Sequence, residues 1–135
     1  MIAYRTGDVP GLAIARELYQ ASTLAERRPV HDAARFGAML AHANLVVTAW
    51  DGDLLVGISR SLSDFAWTTY LADLAVRASH QRQGVGRELV RHTRAAAPQA
   101  TLLLLAAPAA VDYYPRLGFE RQPQAWLLRP GDPLR

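Results

Sequence analysis

Residues 74–90 of this chain read LAVRASHQRQGVGRELV. Leu74, Ala75 and Val76 form an apolar, strand-like end. A polar loop follows, and then two glycines, Gly84 and Gly86, stand where a helical pattern opens. Glycine tolerates left-handed backbone and lets a ligand approach the main chain. The first amides of a helix point outward and carry partial positive charge. Arg82 and Arg87 add full charges beside them, and Arg77, Arg91 and Arg94 extend the cationic stretch with only Glu88 opposing. Such a constellation suits a diphosphate. It is not a dinucleotide fingerprint, because Leu89 occupies the third glycine position. It is not a P-loop either, because the chain contains no lysine.

The elements that must position this loop follow from periodicity and punctuation. Residues 2–5 predict a strand. A helix is expected after Asp8 as its cap, with Pro10 in the first turn. Residues 23–29 read as a polar connection. Phe36, Met39, Leu40 and Ala43 make an apolar stripe on a second helix over 32–43. Asp51-Gly52-Asp53 between apolar runs at 45–50 and 54–62 marks a hairpin. Residues 61–66 turn the chain, and 68–76 predict a third strand of that series. A helix over 86–97 ends at Pro98. The four leucines within 101–106 suggest a strand buried on both faces. A helix from 109 to 117 is expected to end on Gly118, followed by closing strands at 119–121 and 125–129. The fold class is α/β, with one central strand–helix–strand crossover.

Composition narrows the field. The chain has 135 residues, 50% hydrophobic and 20% charged, a balance that fits a single domain over 1–135. No apolar run reaches the roughly 18–20 residues of a membrane span. With no secretory pattern at the start, the expected location is the cytoplasm and no membrane partner is expected. The absence of cysteine removes disulfides, thiolate zinc sites and cysteine nucleophiles. His31 and His42 are too far apart for a helical metal pair, so no metal site is expected. His80 and His92 read as surface residues. All fifteen basic residues are arginine and the net charge is only +3, so nucleic acid is not the expected partner.

Gln81-x-x-Gly84-x-Gly86 after a Leu-Ala-Val strand end resembles the pyrophosphate loop of the GNAT superfamily of acetyl-CoA-dependent N-acetyltransferases. A second stretch, Ala110-Val-Asp-Tyr-Tyr114-Pro-Arg-Leu-Gly118-Phe119, is similar to the pattern that follows the family's fifth strand. The resemblance is strong over 45–119 and weak in the N-terminal helices, which usually shape the acceptor pocket. It implies a mixed sheet, mostly antiparallel, with a central parallel pair that splays apart. It implies acetyl-CoA as cofactor. Backbone groups of Leu74, Ala75 and Val76 would pair with the pantetheine arm and face the charge developing on the thioester oxygen. The loop residues Gln81, Arg82, Gln83, Gly84, Val85, Gly86 and Arg87 would hold the pyrophosphate. Tyr114 falls where the family commonly places its general acid. Asp73 and Asp64 are the candidates for the base, with a turn-capping role for Asp64 weighed equally.

The implied reaction is acetyl transfer to a primary amine by direct attack in a ternary complex. Arg28, Arg60, Trp67 and Tyr70 join the two carboxylates as acceptor-pocket candidates. An aromatic beside a carboxylate suits a cationic amine, although packing is the stronger reading of Trp67. A small-molecule amine is favoured over a protein acceptor, and a homodimer stays open. Two departures weigh on the acid: Ala107-Pro108 stands where many members carry asparagine, and Pro115 sits inside the last helix. They support one rival, a CoA-binding module of weak activity, and the arginine cluster supports a second, a nucleic-acid binder.

Overall fold

A computed structural model of the chain describes residues 1–135. They divide into two compact units, Met1–Leu105 and Ala106–Arg135.

The first unit holds a five-stranded sheet in sequence order. Strands β1 (Ile2–Thr6), β2 (Leu45–Asp51), β3 (Leu54–Ser63) and β4 (Thr68–Val76) pair antiparallel with their neighbours, and β5 (Thr101–Leu103) pairs parallel with β4. Helices α1 (Leu12–Ala21) and α2 (Ala33–His42) lie on one face, and α3 (Val85–Ala96) crosses the other between β4 and β5. Alternation on the strands builds both cores. Ala75 packs with Ala15, Leu18, Tyr19 and Phe36, whereas Leu74 and Val76 turn to Val85 and Leu89 of α3.

Two irregularities break that alternation. Val56 has no partner on β2, since Trp50 faces Leu55 and Ala49 faces Gly57. Val56 and Gly57 therefore both face α3. A β-carbon on Gly57 would stand 2.9 Å from Leu89 Cδ1 and 3.1 Å from Val85 Cγ1, so glycine here lets α3 seat against the sheet. The second bulge leaves Ala72 unpaired, with Arg60 facing Asp73 and Ser61 facing Leu71.

Asp32 caps α2 as its type predicts, accepting from the Arg35 amide at 3.1 Å. Asp8 does not cap α1. The cap is Gly11, three residues later and extended, whose carbonyl takes the Ala15 amide. The connection at 23–29 contains a 3₁₀ turn, Leu24–Arg27. The leucine-rich strand is also corrected. β5 lasts only three residues at the sheet edge, and Leu103 and Leu105 are 41% and 54% exposed. Residues 101–105 alternate between exposed and half-buried, so the run is not buried on both faces.

The second unit carries a 3₁₀ turn, Pro108–Ala110, and a single helical turn, α4 (Tyr113–Arg116). The longer helix expected over 109–117 is thus split in two. Pro115 fits the short turn because the amide it lacks is among those a helix start leaves unbonded. Gly118 follows at φ +98°, and the Gly118 and Phe119 amides close back on Pro115 and Tyr114. Residues 119–121 and 125–129 are irregular chain in place of the expected closing strands.

Candidate functional site

Strand β4 meets β5 at three positions only, where Thr68, Thr69 and Tyr70 face Thr101, Leu102 and Leu103 in turn. From Leu71 to Val76 its far side has no strand partner, while β3 continues alongside on the other. The parallel pair therefore parts after three residues. Leu74, Ala75 and Val76 lie on this free edge, and the Gln81 side chain donates to the Val76 carbonyl at 2.9 Å. That bond ties the start of the loop to the end of the strand.

Gly84 caps α3 at φ +83°, with open space where a β-carbon would stand. Arg82 is also left-handed, at φ +62°. The first helical amide with a protein acceptor is that of Glu88, bonded to the Gly84 carbonyl at 3.1 Å. The amides of Arg82, Gln83, Gly84, Val85, Gly86 and Arg87 have none. The helix start thus offers a run of donors without a side-chain cap. Arg82 and Arg87 form no ion pair, so their charges are available beside those amides. Arg77 and Arg91 are committed elsewhere, the first to Glu17 and the Leu55 carbonyl, the second to Glu88. An unfilled donor arc, a glycine cap and two unpaired arginines fit the diphosphate of coenzyme A. The open β4 edge fits an extended amide-bearing arm.

On the opposite face of β4, Asp73 is 1% exposed and is the hub of a buried network. Its Oδ1 accepts from Arg28 Nε at 2.6 Å. Its Oδ2 accepts from Arg60 Nε and from the Tyr19 hydroxyl, each at 2.6 Å. Arg28 also donates to the carbonyls of Arg27 and Ala72, and Arg60 to that of Met39. The bulge at Ala72 lies beside the Arg28 contact. Burial pushes the Asp73 carboxyl up, but the Arg60 hydrogen bond and charge, with Tyr19 and Arg28, outweigh it and hold the group below the usual carboxylate range. Burial, and then the Asp73 charge, push the Tyr19 phenol far up, so it stays neutral. Asp73, Arg28 and Arg60 were all candidates on sequence grounds, but Tyr19 was not. Its only signal was a polar-tipped aromatic on the apolar stripe of α1.

Asp64 sits at the tip of the β3–β4 hairpin. One of its oxygens accepts from the amides of Ala66, Trp67 and Thr68 at 2.9, 2.7 and 3.0 Å. These bonds lower its pKa. Trp67 is 78% exposed at the same tip, and Tyr70 is exposed on β4. Arg28, Arg60 and Asp73 are thus brought together, whereas Asp64 and Trp67 belong to a separate turn. In the second unit, the Tyr114 ring meets Tyr113 and Phe119 edge-on, at centroid distances of 5.2 and 5.5 Å. Burial, followed by Tyr113, pushes its phenol up to about 12.

A sheet of this order, parted at a parallel pair beside a glycine-capped helix, is the arrangement that the resemblance to the GNAT superfamily implied. Comparison with known proteins agrees. Residues 14–126 match the family model described as acetyltransferase (GNAT) domain. An Arabidopsis thaliana protein, GCN5-related N-acetyltransferase 2, chloroplastic, is 36% identical over 73 residues, which are 52% of this chain and 28% of that protein. The match therefore covers well under half the length of this curated relative. A GNAT family acetyltransferase from Streptococcus pneumoniae superposes with a TM-score of 0.71 at 26% identity, covering 96% of this chain and 99% of that one. An aminoglycoside N-acetyltransferase solved with CoA shares the fold, with a TM-score of 0.72, 16% identity and coverage of 96% and 94%. The chain belongs to the GNAT acetyltransferase family, a family of acyltransferases whose acyl donor is acetyl-CoA. No helix is long and apolar enough to cross a membrane.

Proposed function

We propose that this chain, as one acyltransferase domain over 1–135, transfers the acetyl group of acetyl-CoA to a primary amine by direct attack in a ternary complex. The observation that carries this reading is the run of unbonded amides from Arg82 to Arg87 beside the open β4 edge. The donor supplies an activated acyl thioester. The amides from Arg82 to Arg87, with the Arg82 and Arg87 side chains, hold its diphosphate. The main chain of Leu74, Ala75 and Val76 holds its arm in strand-like register, and a free strand amide there can stabilise developing negative charge.

Tyr114 is the proposed general acid. Its raised pKa keeps the phenol protonated at neutral pH, ready to donate to a departing thiolate. Asp73 and Asp64 are each taken up by donors that lower their basicity, so in this reading they position structure. Asp73 orients Arg28 and Arg60, and Asp64 fixes the hairpin tip that carries Trp67. The amine's proton is then lost to solvent water. A small-molecule acceptor is supported by the aminoglycoside acetyltransferase among the structural neighbours. The test is a thiol-release assay over a broad amine panel with acetyl-CoA. Acetyl-CoA-dependent release with at least one amine is the expected outcome, and acetyl-CoA binding without turnover of any amine would favour a binding module.

A further inference from the structure

The buried network on β4 carries unequal charge. Arg28 and Arg60 share one carboxylate, Asp73, and no other acidic group bonds to either guanidinium. Tyr19, the fourth member, is neutral and donates its only proton to Asp73. One positive charge is left over in a largely dry setting. Buried charge is costly unless it is paired. The excess is also directional. The Arg60 side chain is 10% exposed, and its Nη2 bonds to no protein acceptor. The Arg28 side chain is 25% exposed, so the pair is reached from solvent through Arg28. Arg28 Nη2 is held 3.0 Å from the Ala72 carbonyl, two residues before the Leu74–Val76 edge. The excess charge thus lies beside the segment to which the proposed function assigns the cofactor arm.

We infer that Arg28 and Arg60 form a subsite for an acidic group on the acceptor, so that the substrate is an amine bearing a carboxylate or phosphate and not a polycation. This inference rests on the proposed acetyl transfer and narrows its substrate class. Guanidiniums recognise both acids through charge-assisted N–H donors. Asp73 fixes the two planes through their Nε donors, and Arg60 Nη2 is left without a protein acceptor. A polyamine or aminoglycoside would instead bring like charge to an already positive site.

The test compares matched amines in the thiol-release assay on the full chain: free L-amino acids against their C-terminal amides, phosphoethanolamine against ethanolamine, and an aminoglycoside. In one of the two matched sets the acid is expected to exceed its neutral partner in kcat/KM by about tenfold or more. The set in which this occurs tells carboxylate from phosphate. Arg28→Gln is expected to shrink the preference to under about threefold while acetyl-CoA affinity is kept, and Arg28→Lys to restore part of it. Circular dichroism and the acetyl-CoA Kd of each variant separate a lost subsite from a lost fold. Turnover of the amides, ethanolamine or the aminoglycoside as fast as the acids overturns the inference, as does failure of every acid in a protein that binds acetyl-CoA. Failure to bind acetyl-CoA at all counts against the proposed function itself.

Discussion

At the scale of single residues, the polar side chains divide into those that act on a ligand and those that hold others in place. In the proposed reaction, Tyr114 belongs to the first group. Tyr114→Phe is expected to lower kcat by about 100-fold, with the acetyl-CoA Kd unchanged. Because its phenol is pushed up to about 12, wild-type activity should not lose its acid on the alkaline side as an ordinary tyrosine would near pH ~10. A kcat–pH profile of both proteins checks this. Asp73 belongs to the second group. Asp73→Asn leaves Arg28 and Arg60 without their shared anion and should cost about 3 kcal/mol in urea unfolding near neutral pH. The folded pKa of Asp73 lies below the unfolded value. Its contribution is therefore present above about pH 4 and is lost as pH falls through the folded value. The gap between wild type and variant should be level from neutral pH down to about 5 and close in stronger acid. Residue types and spacing made the glycine loop that opens α3 legible. They did not show Tyr19, nor that Arg77 is spent on Glu17, because such partners lie 54 and 60 residues apart in sequence and meet only when the sheet forms.

At the scale of elements, α3 matters as the carrier of the amide run, and Gly57 and Gly84 control it in different ways. Gly57 sets how closely α3 lies on the sheet. Gly57→Val drives methyl groups into Leu89 and Val85 and should cost about 1–3 kcal/mol in stability, with a weaker acetyl-CoA Kd because the helix start moves. Gly84→Ala meets open space, so its penalty is the left-handed backbone alone, about 1–2 kcal/mol. Thermal unfolding with and without acetyl-CoA measures both variants. Strand β4 was readable to the residue because a polar turn and the Arg-Ala-Ser loop bound an uninterrupted run. The extent of β5 was not. Apolar composition sets what a strand would bury, but its length depends on how far its neighbour stays alongside, and β4 and β5 part after three residues. For the same reason, the apolar residues at 125–129 have strand-forming types yet make no ladder.

At the scale of the whole molecule, the order of elements as far as β5 was readable from periodicity and punctuation, whereas the antiparallel sheet with its parallel pair was legible only through the family resemblance, and the family match covers residues 14–126. The acceptor did not follow, because its candidate residues come from elements distant in sequence. A ligand that binds only the folded chain must stabilise it as a whole. Acetyl-CoA at about 100 times its Kd should add about 2.7 kcal/mol to stability and raise Tm. The most direct measurement is a calorimetric titration of the purified chain with acetyl-CoA. Saturable one-to-one binding is expected, with a Kd well below about 1 mM, that is, better than about −4 kcal/mol. No binding heat and no rise in Tm at millimolar acetyl-CoA would contradict the diphosphate-cradle reading.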